Sequence, residues 1–408
     1  MKGICRAAMI TMLFLCQAGA ALAGDALPAW LQPVEFHGYA ETRVGWRPEK
    51  GPEETGWSPV EARFQGDLSA MYDGFELKLK GDIWADGVTE KVEDDLREAW
   101  LFTRVGEYTD LTVGRQVLTW GTGDLVFLND LFPKDWQAFF IGRDGDYLKA
   151  PSDAAKVSLF TPLAGIDLVY TPRFDPDRYT DGTYILPGNN GPTDTPDRWF
   201  KDDELALRIH RTVKNYEIAA YGYKGFWKQP SGTTSLGMAL FPALEVYGTS
   251  ARGQLGPGIA NLEVAWYRSL DDLSGTDPLV NNSERRYLIG YARDLAQELT
   301  VSLQFYVEEL LDHGAYARDP GAARDHRRQV ITCSIEQLLF NQNLSLGFSG
   351  YWSPTDEDAY LRPLVVYKAT DRVQLTAGAN VFTGRHNTTF FRQFEDNTNI
   401  YASIRYSL

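Results

Sequence analysis

Histidine is the side chain most often used for acid–base chemistry near neutral pH, and the chain contains five histidines. None occurs in a recognisable catalytic context. The sequence has no serine nucleophile elbow, no H-E-x-x-H motif and no pair of cysteines at metal-ligand spacing. His313 beside Asp312 is the best candidate for an acid–base pair, but a solvated loop pair explains it much better. We therefore predict that the protein is not an enzyme and needs no cofactor or metal.

Fixed charges that bind or orient charged solutes offer a second kind of chemistry. Such charges are useful only where they face water inside a passage, because a charge on a lipid-facing surface is costly. The residues that we predict to line a lumen or its constriction are Arg43, Glu98, Arg104, Arg115, Asp124, Asp130, Asp135, Asp146, Arg208, His210, Arg286, Arg328, Arg362 and Arg372.

The elements that must position these charges are extended segments in which apolar and polar residues alternate. In residues 400–408, Ile400, Ala402, Ile404, Tyr406 and Leu408 share one face, and the polar residues share the other. This period of two is what a strand between lipid and water requires. A soluble sandwich also alternates, but here the polar faces mix both charge signs with Gln, Thr and Tyr. We predict an all-β fold, a transmembrane antiparallel β-barrel.

Connector lengths predict the number of strands. We find nine mostly long connectors alternating with eight tight turns, which gives about eighteen strands. Sixteen strands is the alternative, because residues 236–252 and 284–296 have the weakest strand pattern. Bacterial barrels place their short turns in the periplasm and their long loops outside, so both termini are predicted to be periplasmic. The tight turns are predicted at Asp73-Gly74, Gly106-Glu107, Pro162-Leu163, Lys214-Asn215, Gly256-Pro257, Ala296-Gln297, Asn341-Gln342 and Thr370-Asp371.

The N-terminus carries the features of a secretory signal peptide. Lys2 and Arg6 precede an apolar run, and Ala21-Leu22-Ala23 forms a cleavage site. Residues 1–23 are therefore predicted to be removed, leaving residues 24–408 as a single barrel domain. Of the three cysteines only Cys333 would remain, so no intramolecular disulfide is expected.

Charge and the C-terminus indicate the partners. A formal net charge of −15 argues against nucleic acid. The ending Tyr406-x-Leu408 is similar to the aromatic-x-Phe terminus of outer-membrane barrels, which implies insertion by the barrel-assembly machinery into outer-membrane lipid.

The stretch from about residue 95 to residue 180 contains the most distinctive motifs. They are Leu96-Arg-Glu-Ala-Trp100, the Gly-Arg-Gln strand and Trp-Gly within residues 111–121, the Pro-x-Asp loop at Pro133-Lys-Asp-Trp136, and residues 166–172 with Phe174 and Pro176. This ordered set resembles an uncharacterised family of porin-like outer-membrane barrels related to the alginate-export barrels. The resemblance implies a passive or facilitated channel and assigns no solute.

The long connector at residues 119–152 is unusually apolar for an external loop, with Phe127, Trp136, Phe139 and Phe140 among its residues. Exposing so many apolar side chains to water would be costly, so we expect this connector to fold into the lumen or onto the rim. Its acids could then face a basic wall and create a transverse field. Alternatively, these charges pair and only hold the loop in place.

These expectations leave two main functional hypotheses in competition, and a structural or enzymatic barrel is a third. The first is a porin-like channel for passive or facilitated passage of small hydrophilic or anionic solutes. The second is the outer-membrane component of a lipid or polysaccharide export system with periplasmic or inner-membrane partners, which the apolar connector favours. Neither the solute nor the oligomeric state follows from the sequence.

Overall fold

The computed structural model describes residues 34–48, 56–188, 191–318 and 324–408. Eighteen antiparallel strands form one sheet in which each strand pairs with the next along the chain, and the last pairs with the first. The sheet is therefore a closed barrel, and the prediction of eighteen strands is confirmed. The strands are β1 Val34–Trp46, β2 Trp57–Tyr72, β3 Phe75–Asp86, β4 Lys91–Val105, β5 Thr109–Val117, β6 Pro151–Phe160, β7 Gly165–Thr171, β8 Glu204–Val213, β9 Tyr216–Phe226, β10 Ala243–Leu255, β11 Gly258–Ser269, β12 Glu284–Ala296, β13 Leu299–Leu310, β14 Arg327–Leu339, β15 Leu344–Ser353, β16 Asp358–Lys368, β17 Val373–Gly384 and β18 Asn399–Ser407.

The outer face of the barrel is apolar, as the alternation predicts. In β18, Ile400 and Ile404 are about half exposed, whereas Tyr401 and Ser403 between them are buried inside. Strand β3 follows the same rule, with Leu77 and Leu79 exposed on the outside. A closed sheet satisfies its backbone groups within itself, which suits a wall that contacts lipid.

The two ends of the barrel differ in their connectors. Eight connectors of two to four residues lie at one end, each containing or adjoining its predicted tight turn. The nine at the other end include those at residues 118–150 and 172–203, while those at residues 87–90 and 354–357 have only four residues each. The connector predicted at residues 86–94 is short because β4 already begins at Lys91.

A few short elements lie within the long connectors. The helices are α1 Trp136–Phe140, α2 Gly145–Leu148 and α3 His313–Tyr316, with a 3-10 helix at Arg392–Asn397. A small three-stranded sheet joins Thr193–Asp194, Gly232–Thr233 and Ala239–Leu240. Within the described ranges, no helix is both long and apolar enough to span a bilayer. The predicted signal peptide lies outside the described residues.

The barrel wall has a notch between β4 and β5. The β4–β5 ladder ends at Ala99 and Arg115, because the chain turns into the lumen after Val117 while β4 extends up to Lys91. Among the described residues, the upper part of β4 therefore has ladder partners on β3 only. Arg115 Nε donates to the Leu96 carbonyl oxygen at 2.6 Å, so a side chain satisfies one backbone group that no strand reaches.

Candidate functional site

The connector at residues 118–150, called the inserted loop below, folds into the barrel. Its apolar side chains are buried, with Leu128 at 0% and Ile141 at 1% exposure. Residues 118 and 150 replace the predicted boundaries at 119 and 152, because β5 ends at Val117 and β6 begins at Pro151. The expectation that this connector avoids open water agrees with its burial, since an apolar loop is stabilised by removing its surface from water.

One side of the barrel offers the inserted loop an apolar surface. The inward-facing residues of β10–β17 that pack with it in one core cluster are here called the apolar wall. Phe139 stacks edge-on against Tyr351 and Tyr360, with ring centroids 6.0 and 5.5 Å apart, and Phe140 contacts Phe382 at 5.7 Å. The other members of the apolar wall are Leu244, Val246, Ala265, Tyr267, Leu288, Tyr306 and Val330.

Two polar side chains of β11 fix the loop backbone within this apolar contact. The Glu263 carboxylate, fully buried, accepts hydrogen bonds from the Thr122 hydroxyl at 2.9 Å, the Gly123 N–H at 2.8 Å and the Asn129 amide at 2.8 Å. Tyr267 donates to the Leu128 carbonyl oxygen at 2.5 Å. The loop therefore sits in one register on the apolar wall rather than sliding along it.

The opposite side of the barrel holds the loop with charges. The inward residues Arg43, Glu61, Arg63, Asp82 and Arg97 of β1–β4 are here called the ionic wall. Glu61 forms a buried bidentate ion pair with Arg143 of the loop and also contacts Arg63 at 3.4 Å. Arg43 donates to the carbonyl oxygens of Ile141 and Gly142.

Tyr147 of helix α2 completes the contact with the ionic wall. Its hydroxyl lies 2.6 Å from the Tyr39 hydroxyl, accepts from the Gln65 amide at 2.9 Å and donates to Asp82 at 3.1 Å. Arg97 lies over the Tyr147 ring at 4.5 Å and donates to two loop carbonyl oxygens. Burial raises the pKa of the Tyr147 hydroxyl, so it stays protonated and can donate.

The next long connector, residues 172–203, fastens the inserted loop from the rim. Arg178 pairs with Asp95 of β4 at 2.7 Å and approaches Asp135 at 3.5 Å. Asp177 accepts from the Lys134 N–H at 2.8 Å and the Trp136 indole at 2.7 Å. The pKa of the Asp177 carboxyl is raised overall, because the effect of burial exceeds the opposing effect of the positive charge on Lys134.

A cavity of about 620 Å³ opens beside the inserted loop at the long-connector end. Aromatic side chains of the loop, including Phe127 and Trp136, form its floor. Five basic and six acidic side chains line its walls. Arg286 and Arg324 both contact Glu308 here, at 3.6 and 2.8 Å. The cavity thus combines an aromatic surface with paired charges, which suits a small polar or charged solute.

Two of the four predicted acids of the inserted loop have partners within the loop. Asp130 pairs with Lys134 at 3.0 Å, and Asp135 caps helix α1 by accepting from the Ala138 N–H at 2.7 Å. Asp124 accepts from the Ser302 hydroxyl at 3.1 Å. Asp146 is exposed. The loop acids therefore do not form a single row opposite the basic side chains.

Four of the predicted basic residues lie on the inner wall near the loop or the cavity. Arg43 contacts the loop backbone, and Arg362 lies over Phe139 at 4.4 Å. Arg286 lies over Tyr267 at 4.0 Å, and Arg328 pairs with Asp356 at 2.5 Å. Most of these guanidinium groups are thus already engaged by carboxylates, carbonyl oxygens or rings.

A separate charged group lies lower on the inner wall, on β7–β9. Arg208 pairs with Glu217 at 2.5 Å, and both Arg208 and His210 lie within 4.0 Å of Asp167. The two side chains remain about a quarter exposed, so solutes inside the barrel could contact them.

The other predicted site residues lie apart from the cavity. Arg115 occupies the notch, where it pairs with Asp153 at 3.1 Å, and the register puts it on the same face as Val113, the outer face. Arg104 pairs with Asp110 near a short turn, and Arg372 lies in a short turn. Glu98 accepts from the Trp100 indole at 2.8 Å. Arg115 departs from its predicted lumen position because the alternation of β5 places it on the same outward face as Val113.

Sequence reasoning did not single out the residues that anchor the loop most strongly. Glu61, Glu263 and Tyr147 are central to its contacts, yet none belongs to a motif. The alternation around Glu61 and Glu263 would have placed both carboxylates inside. Their partners lie 82 and about 140 residues away along the chain, so no local pattern could pair them.

Comparisons with known proteins identify the type of barrel. Acinetobacter baumannii OccAB3 superimposes with a TM-score of 0.57 at 12% identity, covering 92% of this chain and 99% of that chain. Pseudomonas aeruginosa OccD3 (OpdP) gives a TM-score of 0.54 at 9% identity, covering 92% and 91%. Both are Occ-type outer-membrane porins, so the fold is that of an outer-membrane porin barrel. No protein-family model matches the sequence, and no curated protein is significantly similar to it.

Proposed function

We propose that this protein is a porin-like channel of the outer membrane through which small hydrophilic solutes pass, with the inserted loop as its constriction. The observation that carries the proposal is the placement of this loop. It contacts both the apolar wall and the ionic wall from inside a closed eighteen-strand barrel, and a cavity lined by charges opens beside it. A barrel of this width has an aqueous interior unless side chains and loops fill it.

The proposed orientation follows the rule for bacterial barrels. The long connectors would face the cell exterior, and both termini and the short turns would face the periplasm. Removal of residues 1–23 and insertion by the barrel-assembly machinery belong to the same proposal. A single domain from residue 24 to residue 408 agrees with the one closed sheet of the described residues.

The charges inside support a preference for hydrophilic solutes more directly than a preference for anions. Around the cavity, basic and acidic side chains are nearly equal in number, and most of them pair. Arg208 on the lower wall is a partly exposed cation, and the imidazole of His210 beside it adds a positive charge only when it is protonated. We propose that these two residues set the sign of ion selectivity.

The alternative, an export conduit for lipid or polysaccharide, rested on the apolar character of the loop. Burial of Leu128, Phe139, Phe140 and Ile141 offers another reason for that character, since these side chains pack against the wall instead of lining a passage. Phe127 and Trp136 still line the cavity, and their aromatic rings could contact an apolar solute.

The experiment that tests the proposal is single-channel recording of the chain without residues 1–23, refolded and placed in a planar bilayer under a salt gradient. Stable openings with a defined reversal potential are expected. Arg208→Gln combined with His210→Gln should shift that potential towards cation preference, because the Arg208 charge and the proton-binding His210 imidazole are removed while Asp167 and Glu217 remain.

Two outcomes would contradict the channel. A folded barrel that stays closed would do so, with folding checked by heat-modifiable gel mobility. If a variant shortened within residues 123–132 then conducts, the native loop is a plug, and the export conduit becomes the better explanation. Arg104→Gln, at an exposed short-turn pair, is the matched control and should leave the potential unchanged.

A further inference from the structure

Basic residues cluster on the outer face of the barrel, at the long-connector end of β9–β14. Strand pairing places Trp266 opposite Arg285, Arg285 opposite Glu309, and Glu309 opposite Arg327 on four successive strands. The same register places Lys224 opposite Glu245, and Glu245 opposite Arg268. All these residues share a face with exposed apolar residues such as Leu262 and Ile289, so they point away from the lumen.

Within this outer cluster, two cations lack an ion-pair partner among the described residues. Glu309 is held by Arg327 through two contacts, at 2.8 and 3.1 Å, and Glu245 is held by Arg268 at 2.7 Å. Arg285 and Lys224 are both exposed, and neither forms a close ion pair with a described carboxylate; Glu309 faces Arg285 across the strands and attracts it, but pairs directly with Arg327. The cluster therefore has four cations against two carboxylates, and its positive charge is not cancelled.

The spacing of two of these arginines suits a phosphate group. Arg268 lies two residues beyond Trp266 on β11, and Trp266 faces Arg285 on β12, so the two arginines are diagonal neighbours about 7–8 Å apart. A guanidinium group binds phosphate through two parallel N–H donors, and one phosphate can bridge two such groups at this distance.

The surface below the cations is apolar and aromatic. Arg268 lies over the Trp266 ring at 5.3 Å, and Tyr247 lies 6.3 Å from Trp266. Further along the same strands, Ile289 and Leu303 are each more than half exposed on the outer face. Tryptophan and tyrosine favour the headgroup level of a bilayer, and aliphatic residues favour its acyl region. The patch therefore matches a lipid with a phosphate at its head and acyl chains below.

Other parts of the same rim lack this character. On β1, β2 and β18 the outer residues near the long-connector end are Trp46, Trp57 and Ile400, with no cation among them. Because charged side chains on the lipid face are tolerated only near the interface, a group of four cations on β9–β14 indicates a specific partner there.

We propose that this cluster, Lys224, Arg268, Arg285 and Arg327 with Trp266, binds the phosphorylated glycolipid of the outer leaflet. The assignment of leaflet rests on the proposed orientation, in which the long connectors face the exterior. The site is independent of solute passage, because all five side chains lie outside the barrel. Arg268 and Arg285 hold one phosphate, and the acyl chains lie along β12 and β13.

The test uses the full chain without residues 1–23, purified in mild detergent, with bis-phosphorylated lipid A as the probe. Retained lipid is counted by native mass spectrometry. We expect the wild-type barrel to retain lipid A, and the variant Arg268→Gln, Arg285→Gln, Arg327→Gln to bind it about tenfold more weakly or less, because the charge-assisted bonds to phosphate are lost. Arg293→Gln is the matched control, since Arg293 is exposed at the other end of β12.

Four further comparisons decide the result. Dephosphorylated lipid A with the same acyl chains should bind as weakly to the wild type as lipid A binds to the triple variant. Millimolar inorganic phosphate should not displace the lipid, because free phosphate cannot make the contacts that the acyl chains of the lipid make. Equal retention of both lipids, or equal loss in Arg293→Gln, would overturn the proposal. Conductance of the triple variant should match the wild type, so failure of this site and failure of the channel are distinguishable.

Discussion

The apolar wall and the ionic wall hold the same loop by different means. On β10–β17 the contact is made by rings and aliphatic side chains, with Glu263 and the Tyr267 hydroxyl as polar additions. On β1–β4 it is made by guanidinium groups, carboxylates and loop carbonyl oxygens. Hydrophobic contact has no preferred direction, whereas a bidentate ion pair works in one geometry.

This difference indicates a division of roles. The apolar wall supplies most of the buried surface, which keeps the loop inside the barrel. The ionic wall determines where residues 141–149 lie, because Arg43, Glu61 and Arg97 each reach a particular loop atom. A constriction needs both a loop that stays in place and a defined passage beside it. Three of the four changes below weaken one wall and leave the other intact, and the fourth weakens a pair between the loop and β18.

The largest effect is expected for Glu61→Gln. Removing this charge leaves Arg63 and Arg143 buried without their shared carboxylate, and breaking a buried pair in this way costs about 3–5 kcal/mol. Hydrogen exchange of the amides in residues 143–149 should report a lower free energy of local opening by this amount. Exchange near Leu128 should change little. Glu76→Gln, on the inner face of β3 near a short turn, is the control and should have no effect.

Leu128→Ala should weaken the apolar wall. Its side chain is fully buried, so truncation leaves a cavity and costs about 2–5 kcal/mol. We expect faster exchange at residues 123–132, with residues 143–149 still protected. An equal loss of protection in both segments would contradict the separation of the two walls. Leu163→Ala, at an exposed turn position, provides the comparison.

Tyr267→Phe should have a smaller effect, about 1 kcal/mol, because it removes one hydroxyl that donates to the Leu128 carbonyl oxygen and leaves the ring in place. The measurement is again exchange at residues 123–132. Tyr287→Phe on the outer face of β12 is the matched control. A larger loss than that of Leu128→Ala would mean that hydrogen bonding, and not apolar packing, holds this side.

The smallest effect is expected for Asp144→Asn. Asp144 pairs with Arg405 at 2.6 Å but is about two-fifths exposed, and exposed pairs contribute roughly 0.2–1 kcal/mol. Arg405 retains Glu41 at 2.7 Å after the change. Exchange of residues 143–149 should differ from the wild type at low salt and converge with it at 1 M salt, where such pairs are screened. A difference that persists at high salt would place this pair among the buried contacts.

Much of the barrel could be predicted from the sequence because its rules are local. Lipid on one side and water on the other impose a period of two, and this places Leu77 outside and Asp82 inside without knowledge of any partner. Turn residues mark the strand ends, so the eighteen strands follow from counting connectors. The burial of the inserted loop could be inferred from its apolar composition alone.

The particular contacts of the site could not be predicted, because they join distant parts of the chain. Arg43 was expected to line the lumen, yet it is buried against loop carbonyl oxygens that lie about 100 residues away. Arg115 was expected inside, and only the end of the β4–β5 ladder reveals the notch that it occupies. Likewise, the outer cluster depends on cross-strand register, which the spacing along each strand does not give.

The position of the inserted loop also bears on how the barrel is assembled. The barrel closes where β1 meets β18, and the loop touches both strands of that seam, through Arg43 on β1 and Arg405 on β18. Because the loop lies inside, it must already be within the barrel when β1 and β18 pair. We therefore expect docking of the loop and closure of the barrel to occur in one kinetic step, in which contacts with the loop position β1 and β18 for pairing. During refolding, protease protection of residues 141–149 should appear at the same rate as heat-stable closure, and protection that lags behind closure would refute this order.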